Sequence, residues 1–136
     1  MSTKNFTLDV VTPTKTIFSG EVQSFTAPGT MGSFQVLHNH APLLSTIGIG
    51  EVKVIDSGGK QKFFATSGGF VEVNNNKVIL LAETAESAEE INKQRAEEAK
   101  KRAEERLQTK KEVINQERAR AALMRAINRL KVSAKN

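Results

Sequence analysis

Cysteine is absent from the 136-residue chain, and the last 66 residues hold no glycine, no proline and no aromatic ring. Without cysteine there is no disulfide, no thiol nucleophile and no thiolate metal site. No run approaches the roughly 18 apolar residues of a membrane span. The opening Met1-Ser2-Thr3-Lys4-Asn5 leads into an alternating pattern containing Asp9, which fits neither a signal peptide nor a transit peptide. The simplest expectation is a cytosolic protein. Every glycine, proline and phenylalanine lies at or before Phe70, and the remainder of the chain is rich in Ala, Glu, Lys and Arg. The pattern predicts an α+β chain: an antiparallel β-sandwich or flattened barrel over residues 1–84, then a two-helix antiparallel hairpin over residues 85–136. A small β body carrying a thinly apolar arm suits a regulatory or coupling part better than a self-contained enzyme.

Charge is as uneven as the breakers. Residues 1–84 hold six lysines against six acids, and residues 85–116 hold eight cations against eight acids. The excess of +5 sits in residues 117–136, where Glu117 faces Arg118, Arg120, Arg125, Arg129, Lys131 and Lys135. A basic helix implies an acidic partner, an anion, nucleic acid or a membrane face, unless it is simply a solvated surface.

In the first half, Phe6–Val10 alternates apolar and polar, as a half-buried strand does. Thr16–Phe18, Glu21–Phe25, Glu51–Val54 and Lys62–Ala65 read similarly. Val71–Val73 and Val78–Leu81 flank Asn74-Asn75-Asn76-Lys77, a hairpin signal because Asn tolerates positive φ. Chemistry is scarce. His38 and His40 form an H-x-H pair that on a strand would share a face, but the chain has no third histidine to complete a metal site. Gly58-Gly59-Lys60 and Ser67-Gly68-Gly69 fit no phosphate-loop pattern and read as turns. No nucleophile, acid–base or metal constellation emerges, so catalysis and a required cofactor are not expected.

In the second half, Ser87-Ala88-Glu89-Glu90 fits a capping box, predicting a helix from about Ala88 to Gln108. Gln108-Thr109-Lys110-Lys111 reads as a turn, and a second helix runs from about Glu112 to Lys131. The apolar stripes are thin. Ala96, Ala99, Ala103 and Leu107 form one, and Ala119, Leu123, Ala126 and Leu130 form the other, with Ala122 and Ile127 alongside. Alanine permits close approach but buries little area, so a seam of this kind is only modestly stabilising. The hairpin is therefore expected to open, although a permanently docked pair fits the same spacing. Arg95 and Arg102 share one helical face, and Arg118, Arg125 and Arg129 share another. In a closed hairpin the two rows could converge on an anion, which the planar guanidinium binds bidentately. Solvated arginines paired with i,i+4 glutamates account for the spacing equally well.

Asn39-His40-Ala41-Pro42-Leu43-Leu44 with Gly50, then Ser67-Gly68-Gly69-Phe70-Val71-Glu72-Val73, then Val78-Ile79-Leu80-Leu81-Ala82-Glu83, together resemble the epsilon subunit of bacterial rotary (F-type) ATP synthase. The stretches Arg95–Leu107 and Arg125-Ala126-Ile127-Asn128-Arg129-Leu130 resemble that family's C-terminal domain, so the likeness spans nearly the whole chain. It implies a noncatalytic central-stalk subunit, peripheral at the cytoplasmic face of the plasma membrane and touching the membrane only through its complex. By the same likeness the β domain docks on the gamma subunit and the c-ring, through residues such as Ser33, Phe34, His40, Pro42 and Leu43. The helices either fold onto the sandwich or extend along gamma toward the catalytic beta and alpha subunits, with Arg118, Arg125 and Arg129 facing beta, and extension restrains ATP hydrolysis. Some members bind a regulatory ATP, not hydrolysed, in the folded hairpin. Glu86, Ile91, Arg95, Ala96, Arg102, Arg125 and Arg129 match their pattern.

The likeness has two departures. Asn92 stands where the pattern has Asp. It loses the charge, gains an NH2 donor and implies weakened or absent ATP binding. Gly32-Ser33-Phe34-Gln35-Val36 stands where the family commonly has Gly-Glu-Leu-Gly-Ile, which leaves the c-ring turn without its acid. The competing expectation is a basic helical arm acting as a nucleic-acid or protein adaptor. The arm has no aromatic ring for base stacking and the β half is neutral, which weighs against nucleic acid.

Overall fold

A computed structural model describes residues 4–108 and 113–135. Among them run β1 (Phe6–Val11), β2 (Thr16–Ala27), β3 (Phe34–Val36), β4 (Leu43–Asp56), β5 (Gln61–Asn74), β6 (Lys77–Ala82) and β7 (Ala85–Ser87), followed by α1 (Lys93–Gln108) and α2 (Val113–Ser133). Five strands close into a ring in the order β1-β6-β5-β4-β2, with β2 pairing back onto β1. β3 adds to β2 and β7 adds to β5. The architecture is the expected flattened barrel followed by a helical hairpin.

The pairing is antiparallel throughout except between β1 and β6, which run parallel. Those two strands meet where the ring closes, and the chain between them travels through β2 to β5. No tight hairpin constrains their relative direction.

Two pairs of predicted strands prove continuous. β2 carries both Thr16–Phe18 and Glu21–Phe25 across Gly20, and β5 carries both Lys62–Ala65 and Val71–Val73. Ser67-Gly68-Gly69 is therefore not a turn but a kink inside β5. Gly68 and Gly69 sit at φ +127° and +152°, and a Cβ on Gly69 would run into the Leu81 carbonyl oxygen. The kink lets one half of β5 pair with β7 and the other with β6. The predicted turns do form. Asn75 and Asn76 take φ of 49° and 60° between β5 and β6. Between β4 and β5, Asp56 Oδ1 accepts the backbone N–H groups of Gly58 (3.0 Å) and Lys60 (2.9 Å). The barrel is filled by Phe25, Leu8, Leu80, Val10, Val22, Val52, Val54 and Val71, all fully buried.

His38 and His40 lie in the turn after β3, not on a strand, so they do not share a sheet face. Asn39 takes φ 64° there, and Asn76 Oδ1 accepts its N–H at 2.6 Å.

The helical half differs from expectation at its start. Ser87 belongs to β7 and its side chain caps nothing. Ala88–Glu90 forms one 3-10 turn and Ile91 is extended (φ −71°, ψ 124°). The break has a packing cause: the extended turn drives Ile91 into a buried cluster with Ala65, Ala88 and Val132. The helix restarts at Asn92, whose Oδ1 accepts the Arg95 N–H at 3.0 Å as an N-cap. Between the helices the seam is the predicted alanine one, with Ala96, Ala103, Ala119 and Ala126 buried. The turn predicted at residues 108–111 lies, beyond Gln108, outside the described residues.

Candidate functional site

Among the described residues the hairpin meets the barrel mainly through the last turns of α2. Val132 is fully buried against Ala65, Ala88 and Ile91, with Phe63 beside them. Asn128 Nδ2 donates to the Gly50 carbonyl oxygen at 2.8 Å and reaches the Thr66 carbonyl oxygen at 3.5 Å. The same Gly50 oxygen accepts the Thr66 hydroxyl at 3.2 Å. Gly50 holds this position because a Cβ there would lie 2.6 Å from the Pro28 Cβ. Arg129 Nε donates to Glu86 Oε1 at 2.6 Å, tying α2 to the strand that precedes the helices.

That ion pair forms one wall of a cleft of about 520 Å³ lined by Glu86, Glu90, Ile91, Asn92, Arg95, Ala96, Glu98, Ala99, Arg102 and Arg129. Seven of the eight residues that the family resemblance assigns to a ligand in the hairpin therefore share one concavity. The eighth, Arg125, lies outside it, in a narrow crevice with Thr66, Ser67, Thr84 and Asn128. Arg118 is further off, in a second cleft near the free end of the hairpin that Arg102 also borders. Arg118, Arg125 and Arg129, although regular in spacing, thus border three adjoining concavities: Glu86 and Arg129 line both the cleft and the Arg125 crevice, and Arg102 lines both the cleft and that of Arg118.

The electrostatics of the cleft are mixed. Arg95, Arg102 and Arg129 are balanced by Glu86, Glu90 and Glu98. Among the described residues Arg95 and Arg102 have no ion pair, and neither do Glu90 and Glu98. The first turn of α1 holds no acidic residue and carries Lys93 and Arg95. A helix N-terminus favours negative charge, so this cationic first turn is unfavourable until an anion sits on it.

The residues expected to face partners divide into two groups. Ser33 Oγ donates to the Ala27 carbonyl oxygen (3.3 Å), and Phe34 packs half-buried on the core. Pro42 and Leu43 border a shallow cleft with Glu72, Val73 and Asn74, with Pro42 exposed and Leu43 packed on the core, and His40 Nδ1 lies 2.6 Å from the Ala41 carbonyl oxygen. Sequence reasoning passed over an apolar stripe on the outer sheet face: Leu44, Phe70 and Leu81 are exposed on adjacent strands, with Phe70 directly opposite Leu81. Alternation along β4 and β5 gives the signal, since Leu44 and Phe70 fall on outward positions.

Two family models divide the chain between them. One, described as the beta-sandwich domain of the ATP synthase Delta/Epsilon chain, matches residues 5–88. The other, its long alpha-helix domain, matches residues 89–134. The chain belongs to the ATP synthase delta/epsilon family. Relatives named ATP synthase epsilon chain cover it almost end to end. The one from Syntrophomonas wolfei is 45% identical over 135 residues, 99% of this chain and 98% of that protein. The one from Desulfitobacterium hafniense strain Y51 is 48% identical over 125 residues, 92% and 93% respectively. The fold also matches a chain in a cryo-EM structure of the Euglena gracilis mitochondrial ATP synthase with TM-score 0.83 at 23% identity, over 97% of this chain and 82% of that one. Among the described residues no helix of this epsilon-type chain is long and apolar enough to cross a membrane.

Glu90, Glu98 and Ala99 line the cleft without having been assigned to a ligand. Glu98 and Ala99 were within reach of the sequence, because positions three and four after Arg95 fall on the same helical face. Glu90 was hidden by its expected role in a capping box. Asn128, the polar contact to the barrel, gives only a weak signal as the one uncharged polar residue in Arg125–Leu130.

Proposed function

We propose that this chain is the noncatalytic epsilon subunit of an F-type ATP synthase, part of the central stalk that couples rotation between membrane ring and catalytic head. Its barrel docks on the gamma subunit and the c-ring, and the subunit is held peripherally at the cytoplasmic face of the plasma membrane by that docking. The exposed Leu44, Phe70 and Leu81 supply an apolar face suited to a packed partner. The helices act as a switch. Docked, they lie on the barrel. Released, they reach the beta and alpha subunits, where Arg118 and Arg125 meet an acidic surface and ATP hydrolysis is restrained.

One observation carries the switch: among the described residues the hairpin rests on the barrel mainly through the last turns of α2, while its own seam is built from alanine. Little apolar area opposes its release. The cleft bordered by Arg95, Arg102 and Arg129 gives a purine nucleotide a means to hold the docked state, its phosphates on the cationic first turn of α1. A ligand that binds only the docked state stabilises it by mass action. For ATP this hold is weak, because Asn92 supplies no carboxylate.

The test is reconstitution of the ATP synthase with the full chain or with residues 1–88 alone. The truncated chain is expected to support assembly and ATP-driven ion pumping while hydrolysis rises. Equal hydrolysis with both chains would refute the inhibitory role. The isolated chain is expected to turn over no ATP.

A further inference from the structure

We propose that a second cavity, where the barrel meets the foot of the hairpin, binds a small carboxylate with an apolar tail, of the medium-chain fatty acid type, and that this ligand bridges barrel and helices. The cavity measures about 420 Å³ and opens between β2, the start of β5, the Ala88–Glu90 turn and the residues that follow α2. It shares only Glu90 with the cleft described above, and the inference does not depend on that cleft. Three of the chain's seven phenylalanines, Phe18, Phe63 and Phe64, line it. Phe18 and Phe64 meet edge-on with ring centres 6.2 Å apart. Phe18, Phe63 and the neighbouring Ile17 are only half-buried, so apolar surface stays open to the cavity.

The charged lining is cationic on balance. Lys60, Lys62 and Lys135 border the cavity against Glu89 and Glu90. Among the described residues none of these five has an ion pair, so the lysines stand out of reach of both carboxylates. Lys62 Nζ instead lies 5.2 Å from the Phe18 ring centre, and Lys135 Nζ 5.6 Å from that of Phe63. Each ammonium keeps N–H donors for an acceptor beside its ring. An inorganic anion would use the lysines and leave the rings uncovered. A neutral hydrocarbon would cover the rings and gain nothing from the lysines. A carboxylate with an apolar tail uses both: its oxygens accept from an ammonium, and its tail removes ring surface from water. Lys62 and Phe63 belong to β5, whereas Lys135 follows α2, so a ligand held between them touches both bodies. Such binding needs the docked hairpin and, by mass action, holds it docked.

The deciding experiment is an NMR titration of the full chain with octanoate, kept below its micellar concentration, beside acetate and octylamine, which separate head from tail. Octanoate is expected to bind saturably, with its largest shifts at Phe18, Phe63 and Lys135. It should bind at least about tenfold more tightly than acetate, the worth of burying a few methylenes. Octylamine, with the same tail and the opposite charge, should bind more weakly than octanoate. Lys62→Gln and Lys135→Gln should each weaken octanoate about threefold, as expected of a partly exposed charge. Octanoate at ten times its dissociation constant should slow amide exchange in α2 about tenfold, and this readout alone rests on the proposed switch. Acetate or octylamine binding as tightly as octanoate would overturn the joint recognition of head and tail. Octanoate binding unchanged by Lys135→Gln would overturn the bridge to the hairpin. No saturable shift with octanoate would overturn the site and leave the switch untouched.

Discussion

Asn128 is the residue on which docking of the hairpin turns. Its amide supplies the side-chain hydrogen bond from α2 to the main chain of the barrel, and the accepting Gly50 oxygen is set in place by Pro28 packing against a glycine. Asn128→Ala removes that donor and costs docking about 1–2 kcal/mol, roughly a tenfold rise in released hairpin. Limited trypsin digestion reads this as faster cleavage at Arg118 and Arg120, with the barrel intact. An unchanged cleavage rate would mean that Asn128 contributes nothing to docking. Gly69 has a different kind of necessity, because its φ of +152° and the Leu81 carbonyl oxygen leave no place for a side chain. Gly69→Ala should destabilise the barrel by about 2 kcal/mol or more, seen as a lower urea midpoint with the slope unchanged. The Glu86–Arg129 pair is about one-third exposed on both sides, so Glu86→Gln should cost under about 1 kcal/mol.

At the level of elements, the hairpin and the barrel follow different rules. The barrel is β-branched and aromatic inside, while the helices meet on Ala96, Ala103, Ala119 and Ala126. Close alanine packing leaves no room for growth. Ala119→Leu should force the helices apart at a cost of about 1–3 kcal/mol, lowering helical protection while the barrel's unfolding midpoint stays put. Val132 is the complementary case, a side chain buried where α2 meets the sheet. Val132→Ala should weaken docking by about 2 kcal/mol, and a fluorescence distance between engineered cysteines on α2 and β4 would report it cleanly in a chain with no native cysteine.

The elements also mark what could be read from sequence. The alanine seam, the asparagine hairpin and the guanidiniums of α1 were legible because helical and strand periods project directly into space. The start of α1 was not. Ser87 and Glu90 carry the letters of a capping box, but β7 claims Ser87 for the sheet and the burial of Ile91 moves the cap to Asn92. Parallel closure between β1 and β6 was equally hidden, because it joins segments some seventy positions apart. The arginines of α2 fall on a shared stripe, and helix length spreads Arg118, Arg125 and Arg129 along three adjoining concavities, a distribution that spacing alone does not give.

For the whole molecule, the two halves are built to differ in stability. The barrel closes on itself and is densely filled. The hairpin is held to it by Val132, Asn128, an ion pair about one-third exposed, and Lys135 over the Phe63 ring. The positive excess of the chain lies in residues 117–136, so under the proposed switch salt should weaken the hold of an extended arm on an acidic partner while barely touching the barrel. The most direct test of the switch is native-state amide exchange on the full chain. The account predicts that α1 and α2 exchange through an opening of much lower free energy than global unfolding, while β4 and β5 exchange only with the whole fold. Helical amides as protected as those of the barrel core would contradict it, and would make the hairpin a fixed part of the body.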